Sequence, residues 1–184
     1  MRVMTFATTF PSYHPRKGAL TCFVEKIWLG LHQLDIDFMD SDGWKNDTVG
    51  RDYNDIIWIS KNLPKWHTIR KGHRWKAGDW FQPVIWGDDI NPKSGRSGPY
   101  KQIKIAPPIQ VKKVWDIDIT DDGFIAINGA LYASFKAYWY IDRSLLHELA
   151  QNDGLVLDDF AAWFKYPGTW FNGQIICWND KIEY

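Results

Sequence analysis

A chain of 184 residues, 45% apolar and 24% charged, is long enough for one domain with a substantial core and too short for two comfortable ones. Those proportions exclude disorder or coiled coil for most of the length. Lys plus Arg and Asp plus Glu balance at 22 each, so nucleic-acid binding would need a local cluster of cations, not a global field.

In chain order, residues 3–8 read as a short strand. Phe10-Pro11-Ser12-Tyr13-His14-Pro15-Arg16-Lys17-Gly18, with two prolines and a glycine, reads as an ordered loop. Leu20, Phe23, Val24, Ile27, Trp28, Leu31 and Leu34 recur at helical spacing and predict a helix over about 20–34. Residues 35–53 are acidic, carry Asp-Gly and Asn-Asp pairs, and read as a loop or insertion. Asp55–Ile59 follows as a strand or short helical turn. From Thr68 to about 140 the pattern breaks into short β segments at 68–70, 80–86, 100–106, 111–119, 124–127 and 132–140. Val114–Ile119 alternates as a strand with one wet face should. Leu145, Leu146, Leu149 and Ala150 form a helical stripe stopped by Gly154. Leu157, Phe160, Ala161 and Phe164 form another, stopped by Pro167-Gly168. Residues 173–178 are a final strand. Short strands with turn signals between them suggest a small barrel, so the expected class is α+β with helices on the barrel's flank.

Twelve Trp residues stand out; most are expected to fill the core, which leaves a few rings to stack on a flat ligand. Cys22 and Cys177 form no C-x-x-C pair, and free thiols suit a reducing, cytoplasmic compartment. The five histidines make no ligand cluster, so neither a metal nor a cofactor is expected. No stretch approaches the ~20 apolar residues of a membrane span, and the N-terminus lacks a cleavable leader pattern.

The densest patch of functional residue types is Pro64-Lys65-Trp66-His67-Thr68-Ile69-Arg70, followed by Arg74-Trp75-Lys76-Ala77-Gly78-Asp79. On a strand, Thr68 and Arg70 share one face, and His67 and Ile69 the other. Pattern alone fits an amphipathic strand with wet Lys, Thr and Arg equally well. The strings K-x-H-T-I-R and R-W-K-x-G-D resemble the signature of ASCH domains, a PUA-like superfamily linked to RNA. The resemblance extends through Phe10–Gly18 and the following helix, Gly98–Ile103, and Leu149–Phe164. It implies one ASCH domain over 1–184, a PUA-like mixed barrel with one N-terminal and two C-terminal helices, and an insertion at about 35–62.

Within that family, small bacterial acetylcytidine amidohydrolases use a lysine, a threonine three residues later and a downstream glutamate. The resemblance carries those roles to Lys65, Thr68 and Asp153, the last being the shorter acid. A threonine hydroxyl needs a base to take its proton, and a lysine serves once burial or a nearby cation lowers its pKa. Arg70, on the face of Thr68, is a candidate for that cation, for a phosphate contact or for a developing oxyanion. An ionised Asp153 works against this by raising the lysine's pKa.

The expected function is therefore recognition of a nucleoside or RNA base in a cleft, with hydrolysis of an acylated cytidine amide as its enzymatic form. Lys65, Thr68 and Asp153 are the candidate catalytic residues. Arg70, Trp66, His67, Tyr100, His14, Arg16 and Lys17 are candidates for substrate binding, Trp66 or Tyr100 by stacking and the loop cations on phosphate. An RNA-cleaving nuclease using lysines with His67 or His14 stays open, as does a non-catalytic RNA- or protein-binding adaptor. No membrane partner is expected, and a monomer is favoured. The basic loop Lys93–Gly98 reads slightly better as hairpin slack than as a lid.

Overall fold

The computed structural model describes residues 1–36, 63–87, 101–136, 143–165 and 168–184. Among them, nine strands and three helices make an α+β fold. The strands are β1 (Arg2–Thr5), β2 (His67–Lys71), β3 (Trp80–Gly87), β4 (Lys101–Lys104), β5 (Ile109–Gln110), β6 (Lys113–Ile119), β7 (Phe124–Ile127), β8 (Ala130–Ser134) and β9 (Phe171–Cys177). The helices are α1 (Phe23–Gln33), α2 (Arg143–Asn152) and α3 (Leu157–Trp163). Expected elements at 35–62 and the loop at 93–98 lie outside the described residues, apart from the first two positions of the former.

Helix α1 forms because Phe23, Val24, Ile27, Trp28 and Leu31 repeat at helical spacing and all five are buried. Removing those side chains from water contributes on the order of 10 kcal/mol before chain entropy is counted. The helix starts later than its apolar stripe suggested. Cys22 sits in the left-handed region at φ 57, and the Thr21 hydroxyl accepts from the Phe23 N–H at 3.4 Å. Leu20 therefore lies outside the helix and is exposed. Trp28 Nε1 donates to the Ile105 carbonyl at 2.5 Å and ties the helix to the chain beyond β4.

The strands divide between two sheets. In the first, β1 runs parallel to β3, and β4 and β5 pair antiparallel with β3. The second runs β2-β9-β6-β7-β8, antiparallel throughout, with a bulge where β7 meets β8. Only Val111 and Lys112 separate β5 in the first sheet from β6 in the second, so the chain turns a corner there. Among the described residues the two sheets share no ladder and no barrel closes, which differs from the single barrel expected of so many short strands. Periodicity marks strands but not which strands pair, and that choice is made by distant side chains.

Buried apolar residues of both sheets and all three helices form one cluster. The sheets meet where Trp178 places its ring near Phe6 and Phe81, at 6.4 and 5.9 Å between centroids. Arg70 on β2 reaches across to donate from Nη2 to the Thr5 carbonyl at 2.6 Å.

Candidate functional site

The chain re-enters the described structure just before β2, and three backbone hydrogen bonds fix it there. Lys65 N–H donates to the Lys26 carbonyl on α1 at 2.9 Å, Trp66 N–H to the Asn152 carbonyl at the end of α2 at 2.8 Å, and Trp178 N–H to the Trp66 carbonyl at 3.1 Å. Lys65 thus sits at the seam of α1, α2 and β9. Gly30 makes this approach possible, because a Cβ there would lie 2.6 Å from the Lys65 carbonyl oxygen.

The Lys65 side chain is 1% exposed. Its Nζ donates to both the carbonyl and Oδ1 of Asp153, each at 2.5 Å, and lies 4.3 Å from the centre of the Phe23 ring. Asp153 follows α2, and Gly154 then turns the chain through φ 74. Lys26 closes the same corner by donating from Nζ to the Gly154 carbonyl at 2.6 Å. Burial pulls the Lys65 ammonium down to about 8, outweighing the upward pull of Asp153, and Arg70 and Lys26 push the same way as burial. Burial also raises the Asp153 carboxyl, against the lowering effect of Lys65, Arg70 and Lys26. Both partners therefore shift toward their neutral forms, as desolvation requires. The cation expected to lower the lysine is present, but burial is the larger cause.

His67 is 0% exposed and its Nδ1 lies 3.7 Å from Asp153 Oδ1. Neither ring nitrogen makes a hydrogen bond of good geometry, though the Leu149 carbonyl comes close enough to act on the ring. Burial first, then Lys65, hold its pKa well below the ordinary value, against a weaker pull from the Leu149 carbonyl, so the ring is neutral at pH 7. Its centroid lies 5.5 Å from that of Tyr184, edge to face. With Leu149 beside the ring N–H, the neutral imidazole keeps one acceptor nitrogen unmatched.

Thr68 and Arg70 lie on the other face of β2, as its alternation and its regular pairing with β9 require. Thr68 is buried, and its hydroxyl makes no hydrogen bond to Lys65, whose Nζ points to Asp153. Arg70 stands 5.1 Å from the centre of the Phe6 ring with Nε unpartnered, and Trp178 Nε1 is unpartnered too. The structure therefore joins Lys65, Asp153 and His67, with Lys26 beside them, and leaves Thr68 and Arg70 across the strand.

No family model, curated protein or solved structure matches this chain. Assignment rests on the geometry.

The expected phosphate contacts at 14–17 are arranged otherwise. His14 is buried, stacked on Phe10 at 4.3 Å, with Nε2 3.2 Å from the Asp159 carbonyl. Arg16 Nη1 donates to Asp159 Oδ2 at 2.5 Å, and its guanidinium lies over the Phe10 ring at 4.7 Å from the centroid. Of the three, Lys17 alone is exposed without such a partner. Trp66 is half-buried and packs against the core, while Tyr100 lies outside the described residues. Sequence reading missed Lys26 and Asp159. Lys26 interrupts the apolar run of α1, and Asp159 sits in the first turn of α3, where a carboxylate suits the helix dipole. Neither signal alone singles out a site.

Proposed function

We propose that the chain is an ASCH-type, PUA-like domain that recognises a nucleoside or RNA base at the Lys65–Asp153 seam and hydrolyses an acylated cytidine amide there. In this reading the two sheets are the PUA-like barrel in open form, and the corner between β5 and β6 supports it. The observation that carries the reading is the buried Lys65 with its pKa brought down to about 8. A lysine so placed holds an appreciable fraction of free amine near neutral pH, which is what a general base needs. His67, fully buried beside this pair, sets the polar back wall of the seam.

In the reaction, the neutral Lys65 amine takes the proton of the attacking hydroxyl. The hydroxyl oxygen bonds to the acyl carbon, and the bond from that carbon to the exocyclic nitrogen breaks. The proton passes to that nitrogen, and cytidine leaves. Thr68 has the nucleophile's role that the resemblance implies, with water completing the hydrolysis. Lys65 must then swing from Asp153 to the Thr68 face of β2 when substrate enters, because in the free protein its amine donates to Asp153 and Thr68 lies across the strand.

The test is hydrolysis of acetylcytidine followed chromatographically. Turnover rises with pH through about 8 as Lys65 loses its proton. Lys65→Arg abolishes it, since arginine keeps its proton at any accessible pH. Thr68→Ala is inactive, while Thr68→Ser retains partial activity. A wild-type chain that binds but never hydrolyses reduces the site to recognition, and full activity in Lys65→Arg refutes the lysine base.

A further inference from the structure

The proposed site uses only the first half of the basic segment, Arg70 excepted. The second half, Lys71-Gly72-His73-Arg74-Trp75-Lys76, holds three obligate cations and a histidine with no acid, in a chain whose net charge is zero. All four basic side chains are on exposed residues. A groove of about 470 Å³ lies here, lined by Arg2, Val3, Arg74 and Trp75.

The groove's aromatic wall is fixed in place. Trp75 N–H donates to Gln174 Oε1 at 3.0 Å, and Gln174 Nε2 donates back to the Trp75 carbonyl at 3.3 Å. One edge of the indole meets Phe81 at 5.8 Å between centroids, and the Arg2 guanidinium lies 5.3 Å from its centre. Arg2 in turn is held by the Arg74 carbonyl and by Asp79 Oδ2 at 3.3 Å. Asp79 also accepts from the Lys76 N–H at 3.0 Å, so this carboxylate shapes the turn and offsets part of Arg2's charge. His73 faces Asp116 at 3.5 Å. The Arg74 guanidinium, and the amines of Lys71 and Lys76, have no partner among the described residues.

We propose that this groove binds single-stranded nucleic acid, with Arg74 on a backbone phosphate and a base stacked on the Arg2–Trp75 pair. A planar cation laid over an indole offers a flat outer face to a base, and unpaired cations at its rim suit the sugar–phosphate chain. Duplex is disfavoured, because a stacked base has to leave its helix. This site does not rest on the reading of Lys65: it comes from different residues and takes the strand, not an acyl group.

The experiment measures binding of labelled single-stranded RNA and DNA homopolymers of equal length to the full chain, at low and physiological salt. Arg74→Glu with Lys76→Glu is compared with Lys181→Glu with Lys165→Glu, exposed cations elsewhere that change the net charge equally. Wild type is expected to bind, with log Kd following log salt. Losing two phosphate contacts lowers that slope by about 1.4 and weakens affinity about tenfold or more, while the control pair binds nearly as wild type. RNA bound more tightly than DNA assigns the strand to RNA, and equal binding to any single strand. Acetylcytidine turnover, where present, is unchanged by Arg74→Glu with Lys76→Glu. Absence of binding at low salt, or equal loss in the two charge-reversed pairs, overturns the proposal whatever the Lys65 assay returns.

Discussion

Taking a lysine and an aspartate out of water costs several kcal/mol per ion, and Lys65 and Asp153 are 1% and 4% exposed. Their 2.5 Å contact offsets much of that cost without making the pair a strong net source of stability. Lys65→Met leaves Asp153 buried without its partner and is expected to destabilise by about 3–5 kcal/mol, while Lys65→Met with Asp153→Leu is neutral or stabilising by about 1–4 kcal/mol. Denaturant unfolding of the two variants checks this. A double variant that is as unstable as the single one would mean that the seam needs its charges to fold. The same pair gives the fold a pH signature. The folded Lys65 titrates near 8 and the unfolded one near 10.5. Between those values the unfolded chain binds more protons, so stability rises with pH across the window. The rise shrinks in Lys65→Met, measured by urea midpoints at successive pH values. Asp153, shifted up, acts with the opposite sign just above its ordinary carboxyl range.

Helix α1 and strand β2 are held together by a close approach of backbone, and Gly30 is where it happens. A Cβ at this position would lie 2.6 Å from the Lys65 carbonyl and 3.4 Å from Trp66 Cε3. Gly30→Ala gains helix propensity but forces the two elements apart, and is expected to cost about 1–3 kcal/mol net. Under the proposed reading, acetylcytidine turnover then falls further than the loss of stability alone explains, because Lys65 moves with its carbonyl. Normal activity in a destabilised Gly30→Ala would disconnect the helix from the site. At this scale the sequence was informative in proportion to how local the signal is. The stripe over 20–34 contains Phe23–Gln33, and the segments 80–86 and 124–127 match Trp80–Gly87 and Phe124–Ile127 closely. The segment 3–8 ran too long: the strand ends at Thr5, and Phe6 leaves it with its ring against Trp178. Division into two sheets was not legible, since β1 pairs with β3 and β2 with β9 across long stretches of chain. At the site, alternation correctly separated Thr68 and Arg70 from His67. The Lys65–Asp153 contact spans 88 positions and came only from the resemblance. That resemblance placed Thr68 with Lys65, whereas burial and the Asp153 carboxylate hold the amine on the other side.

One apolar cluster runs through both sheets and all three helices of the described residues. Cooperativity follows from shared burial, so unfolding should be two-state, with far-ultraviolet circular dichroism and tryptophan fluorescence giving coincident transitions. Separate midpoints would mean that the sheets unfold as independent units. Charge is arranged less evenly than the fold: a neutral molecule carries an acid-free basic run at 71–76 beside a groove. No described helix is long and apolar enough to cross a membrane. The way the chain leaves and rejoins α1 has a further consequence. Ile36 N–H bonds back to the Leu31 carbonyl at 3.1 Å, and Lys65 N–H bonds to Lys26 of the same helix. The two anchoring points lie along one rigid rod, separated by only ~8 Å of helical rise between Lys26 and Leu31. Both points are thus pinned to one helix, so any shift of α1 carries Lys65 with it.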